Sequence, residues 1–337
     1  MNSLVGLIVW CALFAAIGAA GTWMARRYAM QRQLLDQPGE RRSHRVATPR
    51  GGGIAIALAF LIAIVAMILR QPGEIILLVC AGFGMFLVAG IGWADDHRPL
   101  SPWSRLVVHT VAAGWLAVGF YLSGRSGSVA VTVFVLSLVL VNIWNFMDGI
   151  DGLAASQAVL VAAIFALMAG SSLAIHLGLA LIGATLGFLP FNLHRVKIFL
   201  GDVGSGTLGF ALALMAGLFL DAVPFAVWPL VLLPLSAFLL DASLTLLTRM
   251  LRGERWWTPH VEHAYQRCAR RAGSHLPVTV GYAIWTMLAC LGTVWLRGAD
   301  QRDMMMTVVM WLAMGGGLWY WLRRLPPARD VNQETGA

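Results

Sequence analysis

Charge is what this sequence of 337 residues has least of: 12% of its residues are Asp, Glu, Lys or Arg, against 59% hydrophobic. A soluble globular chain carries roughly a quarter charged residues, so the scarcity excludes a protein that meets water on all sides. Cysteine is sparse too. Cys11, Cys80, Cys268 and Cys290 stand far apart, which excludes a disulfide framework or a paired-cysteine metal site and leaves packing as the role of the three in apolar runs. No Walker motif is present, because Phe199-Leu-Gly-Asp202-Val-Gly-Ser-Gly206 lacks both the lysine and the spacing. There is no internal repeat, and no polar stretch long enough to fold alone. The first apolar run has no basic n-region, is too long for a signal-peptide core and is followed by Arg26-Arg27. It reads as an anchor, not a cleaved leader.

Long apolar runs take the place of the missing charge. Leu4–Met24, Ile54–Leu69, Ile75–Trp93, Val129–Trp144 and Ala222–Leu240 reach or approach the roughly 18–20 residues that cross a bilayer as a helix. Eleven spans are predicted, near 2–25, 52–69, 75–93, 103–122, 129–147, 153–170, 174–192, 205–221, 225–248, 277–296 and 304–322. The fold class is therefore an all-α polytopic membrane bundle. Twenty of the 24 Lys and Arg fall in odd-numbered loops or the tail, and four in even-numbered loops. That asymmetry predicts a periplasmic N-terminus and a cytoplasmic C-terminus in a bacterial inner membrane. One transmembrane catalytic domain is expected over 1–325, with a disordered tail over 326–337. The formal charge of +8 does not argue for nucleic acid, since topology places the basic residues, which then meet membrane lipids or phosphate.

Acids are scarcer still, 16 in the whole chain. Asp36, Asp95, Asp96, Asp148, Asp151 and Asp202 all fall at predicted cytoplasmic span ends or in cytoplasmic loops, where a carboxylate is costly unless it faces protein, water or a cation. Each has a plain reading of its own. Asp95-Asp96 could begin a solvated loop, Asp151 could cap the sixth span, and Asp202 could cap the eighth. Asn142 and Asn145, three apart with Asp148 in Asn142-Ile-Trp-Asn145-Phe-Met-Asp148-Gly-Ile-Asp151-Gly, could bond neighbouring helices. None of these readings accounts for the cluster. Hard-cation chemistry does, because carboxylate and amide oxygens suit Mg²⁺, which also keeps waters and substrate phosphates as ligands. The helix start at Gly201–Gly206 offers backbone amides to an anion. His260 and His263 lack a third zinc ligand and the zincin spacing, so they fit hydrogen bonding to a phosphate or sugar, with Arg267, Arg270 and Arg271 adding positive charge.

Taken together, these strings resemble the polyprenyl-phosphate N-acetylhexosamine-1-phosphate transferase family (glycosyltransferase family 4). The matching pieces are Asp36, His44 and Pro49-Arg50-Gly51-Gly52; Asp95-Asp96; the asparagine–aspartate string; Phe191-Asn192 through Lys197 to Gly201-Asp202-Val-Gly-Ser; and His260-Val-Glu-His263. The resemblance implies a UDP-activated sugar, undecaprenyl phosphate as acceptor, UMP as leaving group and Mg²⁺ as cofactor, with Mn²⁺ as its substitute. By motif match it implies Asn145 and Asp202 for the metal, and Asp95, Asp96, Asp148 and Asp151 for the chemistry, with Asp95 activating or orienting the lipid phosphate and Asp151 touching the sugar nucleotide. It implies Asp36, His44, Arg50, Asn142, Asn192, Lys197 and Arg267 as substrate contacts, Phe199 for uracil, Arg105 for phosphate, and His260 and His263 for the donor. A homodimer is compatible with such a bundle. The histidine-rich run of peptidoglycan-type members, which use a MurNAc-pentapeptide nucleotide, is reduced here. The His-Ala-Tyr-Gln-Arg ending is similar to O-antigen-initiating enzymes that accept UDP-N-acetyl-fucosamine or related amino sugars.

Two further classes stand beside this one. A transporter should carry polar groups at mid-membrane and on both sides, often with inverted repeats, whereas here the outer ends read as bland. A scaffold for polysaccharide assembly would not require the acidic set.

Overall fold

The computed structural model describes residues 3–36, 47–193, 196–255, 258 and 260–325. His44 and the 326–337 tail lie outside the described residues. Among the described residues the chain forms α1 (Leu4–Gln31), α2 (Ile54–Arg70), α3 (Ile75–His97), α4 (Pro102–Leu122), α5 (Gly127–Phe146) and α6 (Leu153–Ala169). It continues through α7 (Ser172–Asn192), α8 (Gly201–Ala222), α9 (Leu232–Leu251), α10 (Ala264–Ala272), α11 (Leu276–Leu296) and α12 (Gln301–Arg324). A two-residue antiparallel pair, β1 (Leu35–Asp36) with β2 (Thr48–Pro49), is the sheet structure among them. Nine helical stretches are long and apolar enough to cross a bilayer, and α2 and α6 are shorter apolar helices of 17 residues each. These account for the eleven predicted spans of a multi-pass membrane bundle. The exception is α10, a short amphipathic helix inside a loop.

Local chemistry sets the helix starts. Ser101, Ser126 and Ser171 have extended backbones, and their hydroxyls accept from the amides of Ser104, Val129 and Ala174, satisfying donors that a helix start leaves orphaned. Gly152 and Gly170, both with positive φ, bound α6. The helix α3 runs on to His97, past the expected end at residue 93, so Asp95 and Asp96 sit on its last turn and not beyond it.

The bundle is built around α8. Every residue from Val203 to Leu220 is buried, the pattern of a helix surrounded by others. Its neighbours include α3, α5 and α6. Glycine permits the closest approaches. A Cβ on Gly53 would stand 2.1 Å from Gly204 Cα, and one on Gly209 would stand 2.5 Å from the Leu140 carbonyl oxygen. Small residues matter more here than in water-soluble cores, because lipid gives apolar side chains little reason to prefer protein.

The end expected to face outward is not bland. Arg125 Nη2 donates to both oxygens of Glu74, at 3.1 and 2.9 Å, and its Nε donates to Asp221 Oδ2 at 2.9 Å. One guanidinium thus ties the start of α3, the α4–α5 turn and the end of α8. Arg125→Ala leaves the partly buried Glu74 and the exposed Asp221 without their cation and should cost about 1 kcal/mol, toward the value for exposed pairs. A lower melting temperature with an unchanged KM checks this, and an unchanged melting temperature would contradict it.

Candidate active site

The end of the bundle opposite Arg125 gathers the sequence-predicted acids, and the start of α8 organises them. A buried helix start needs acceptors for its first amides. Asp96 on α3 supplies them: Oδ1 accepts from the Asp202 amide at 3.0 Å and Oδ2 from the Val203 amide at 3.2 Å. Arg50, at the entry to α2, donates to the same Oδ1 through Nε at 3.0 Å and Nη2 at 2.8 Å. Gly201 has φ +76°, and a Cβ there would lie 2.6 Å from Asp96 Oδ2, so both the backbone conformation and the close approach require glycine.

Asp95 faces a different set of partners. Its Oδ1 accepts from the Leu100 amide at 2.5 Å and its Oδ2 from Arg105 Nη1 at 3.0 Å. The same Nη1 reaches Asp202 Oδ2 at 2.9 Å. Asn145 Nδ2 donates to Asp202 Oδ1 at 2.8 Å and to Ser205 Oγ at 3.3 Å. Asn145 and Asp202, far apart in sequence, are therefore adjacent. Among the described residues no group of three His, Cys, Asp or Glu could hold a metal. A divalent cation would take one carboxylate and one amide oxygen from the protein, which fits Mg²⁺ with its retained waters and phosphates and does not fit a closed structural zinc.

Two cavities meet at Asp202. One, about 260 Å³, is lined by polar groups that include Asp36, Arg50, Asp148, Asn192 and Arg270, with Phe199 on its wall. The other, about 330 Å³, combines Arg105, Asn142 and Asn145 with apolar Trp103, Leu106 and Leu246 from α4 and α9. Burial, with the charges of Asp202 and Asp96 nearby, pushes the Asp148 carboxyl well above the usual carboxylate range. Asn192 braces the polar cavity: its Oδ1 accepts from the Gly152 amide at 3.0 Å, and its Nδ2 donates to the Ile198 carbonyl at 3.1 Å.

Other predicted residues stand elsewhere. Lys197 is exposed, its Nζ 5.7 Å over the Phe191 ring. Arg267 Nη1 donates to the Arg323 carbonyl at 3.0 Å, and its neighbour Arg270 lines the polar cavity. Asp151 does not cap α6, whose N-cap is Gly152; it pairs with His275 Nδ1 at 2.7 Å. His263 is buried, stacked on Phe146 and Tyr265, and lies 3.7 Å from Asp241 Oδ1. Burial, then the charges of His263 and Arg249, push the His260 imidazole down to about 4. At neutral pH it is an uncharged hydrogen-bonding group. Neither histidine lines the polar cavity, whose wall on this side is Val261, Gln266 and Arg270.

Two residues that hold this side together escaped the motif reading. Asp241 accepts from the Ala264 and Tyr265 amides at 2.8 and 3.0 Å and from the Tyr282 hydroxyl at 2.7 Å, fixing the start of α10. Its signal in the sequence is a carboxylate inside an apolar run, which demands a partner. His275 has no such signal, because only the fold brings it to Asp151.

Residues 75–219 match the model of the family described as glycosyl transferase family 4. The chain is 30% identical over 282 residues to a probable undecaprenyl-phosphate N-acetylglucosaminyl 1-phosphate transferase of Bacillus subtilis, covering 78% of this chain and 77% of that protein. It is 28% identical to a decaprenyl-phosphate N-acetylglucosaminephosphotransferase of Mycobacterium leprae, over 86% of this chain and 82% of the relative. It is also 29% identical to a phospho-N-acetylmuramoyl-pentapeptide-transferase of Clostridioides difficile, over 56% of this chain and 66% of the relative. With the acidic strings gathered at the start of one buried helix, the chain belongs to glycosyl transferase family 4, among the polyprenyl-phosphate N-acetylhexosamine-1-phosphate transferases.

Proposed function

We propose that the chain transfers an N-acetylated amino-sugar 1-phosphate from a UDP-sugar to undecaprenyl phosphate, releasing UMP, at the cytoplasmic face of a bacterial inner membrane. The observation that carries this reading is Asp202 standing between two cavities of different lining. The polar cavity, with Phe199 for a base and Arg50 and Arg270 for phosphates, suits a nucleotide sugar. The apolar-walled cavity, with Arg105 at its polar edge, suits a lipid phosphate. The relatives' names support the polyprenyl acceptor and an N-acetylhexosamine donor. The reduced histidine run supports an O-antigen type of amino sugar over the MurNAc-pentapeptide nucleotide.

A phosphate monoester has a second pKa of about 6, so the acceptor is largely dianionic at neutral pH and needs little help from a base. Its oxygen attacks the sugar-bearing phosphorus, the bond to the bridging oxygen breaks, and UMP leaves with that oxygen. Bringing two anions together is the harder task. Arg105, already 3.0 Å from Asp95 and 2.9 Å from Asp202, is placed to hold the incoming phosphate, with Asp95 orienting the guanidinium. Asn145 and Asp202 would hold Mg²⁺, which when bound offsets charge on the pyrophosphate. Asp96 is a positioning residue in this scheme. Four hydrogen bonds from Arg50, Asp202 and Val203 already engage its two oxygens, which supports direct attack over a phosphorylated Asp96.

Purified chain given undecaprenyl phosphate and a panel of UDP-amino sugars, UDP-N-acetylglucosamine included, should release UMP with one of them. No release from any, and transport or scaffolding alone, would sink the transferase reading. Asp202→Asn should lower turnover by about 10²–10³ and raise the Mg²⁺ needed for half-maximal rate; turnover near the unmutated level contradicts its role. Enzyme given UDP-sugar without lipid should yield no aspartyl ester of the sugar phosphate, and no released UMP, on mass spectrometry. A sugar phosphate trapped on Asp96 would overturn direct attack.

A further inference from the structure

A third cavity of about 510 Å³ lies between α9, α10, α11 and α12. It shares no lining residue with the two cavities that meet at Asp202, so the proposed transfer leaves it without a role. Leu240, Trp285, Leu318 and Leu322 give it apolar walls. Gly281 on α11 has open space around it. From Pro277 to Trp285 the cavity follows α11 for a distance of about 12 Å, at 1.5 Å rise per residue. Leu318 is 41% exposed, so this side opens toward the surrounding membrane.

The rim is cationic. Arg271, exposed on the last turn of α10, lines the cavity at the level where α11 begins. Arg324, exposed, ends α12 nearby, lying 4.4 Å over the Tyr320 ring. The carboxylate in the lining, Asp241, already accepts from two backbone amides and the Tyr282 hydroxyl. Glu262 is held by Arg249 and Arg323. An apolar slot with a basic rim at the membrane surface has the charge and shape of a site for an anionic lipid.

We propose that this slot binds one anionic phospholipid, its phosphate against Arg271 and an acyl chain between α11 and α12. The site has a route to the chemistry. Ala264, Cys268 and Arg271 line the slot, whereas Gln266, Ala269 and Arg270 of the same helix line the polar cavity. A lipid in the slot holds α10 from behind and keeps Arg270 at the donor cavity.

Native mass spectrometry of the full chain, offered phosphatidylglycerol and phosphatidylcholine in equal amounts, tests the site without relying on transfer activity, so its failure and that of the transferase reading are separable. The expected result is one retained phosphatidylglycerol per chain, lost in Gly281→Leu, which fills the slot. Arg271→Gln, at an exposed position, should abolish the preference over phosphatidylcholine even if Gly281→Leu disturbs packing. Equal retention of the two lipids, unchanged retention in both variants, or displacement of phosphatidylglycerol one for one by undecaprenyl phosphate would overturn the proposal. Where a UDP-sugar substrate is in hand, lipid-depleted enzyme should show an apparent KM raised about fivefold, restored by phosphatidylglycerol. An unchanged KM would overturn the hold on α10.

Discussion

A carboxylate on one helix that satisfies the first amides of another is the contact on which this bundle depends. Asp96 of α3 bonds the start of α8, and Arg50 bonds Asp96, so three distant stretches of sequence converge on one group. The helix that is held is the buried one. An unsatisfied helix start inside a bundle would cost several kcal/mol in orphaned amides, and an unpaired carboxylate there would cost more. Each offsets the other. The dipole of α8 then points its positive end at the same place where Asp202, Arg105 and Asn145 meet, so the feature that stabilises the fold also sets the field of the site.

This arrangement separates residues that look alike in sequence. Asp95 and Asp96 are adjacent, yet one reaches toward Arg105 and the other is consumed by the α8 start. The pair reads as two catalytic acids when only the motif is seen. Geometry divides them by partner, Asp95 meeting the Leu100 amide and Arg105, and Asp96 meeting Arg50 and the α8 start. A similar division runs through α10, where Arg267, Arg270 and Arg271 are indistinguishable as a basic run but point to three different surroundings.

Much of the fold was legible because bilayer physics is severe. Apolar length gave the eleven spans, and the acids placed by loop parity do cluster at one end. What was illegible follows from the same physics. The extension of α3 to His97 depends on partners contributed by residues 100, 202 and 203, which no local pattern contains. The helix α10 is too short and polar to register as a span, and its existence rests on Asp241. His260 and His263 read from the sequence as a hydrogen-bonding pair for a phosphate or sugar, whereas His263 is packed on aromatic rings. The polar clamp at the opposite end was missed because Glu74, Arg125 and Asp221 are isolated single charges in sequence, meeting only once α3, α5 and α8 are side by side.

That second clamp changes how α8 can behave. The helix carries Asp202 on its first turn and Asp221 on its last, and each is tied to an arginine from a neighbouring segment. A rod of 22 residues, anchored at both tips and met at close range by the backbones of Gly53 and Leu140, is braced against sliding and turning. It is a stator. Under the proposed function, substrate entry and product exit then fall to the parts around it, namely the loop after α5, Arg50 and its neighbours before α2, and α10, while the Asp202 carboxylate keeps a fixed place.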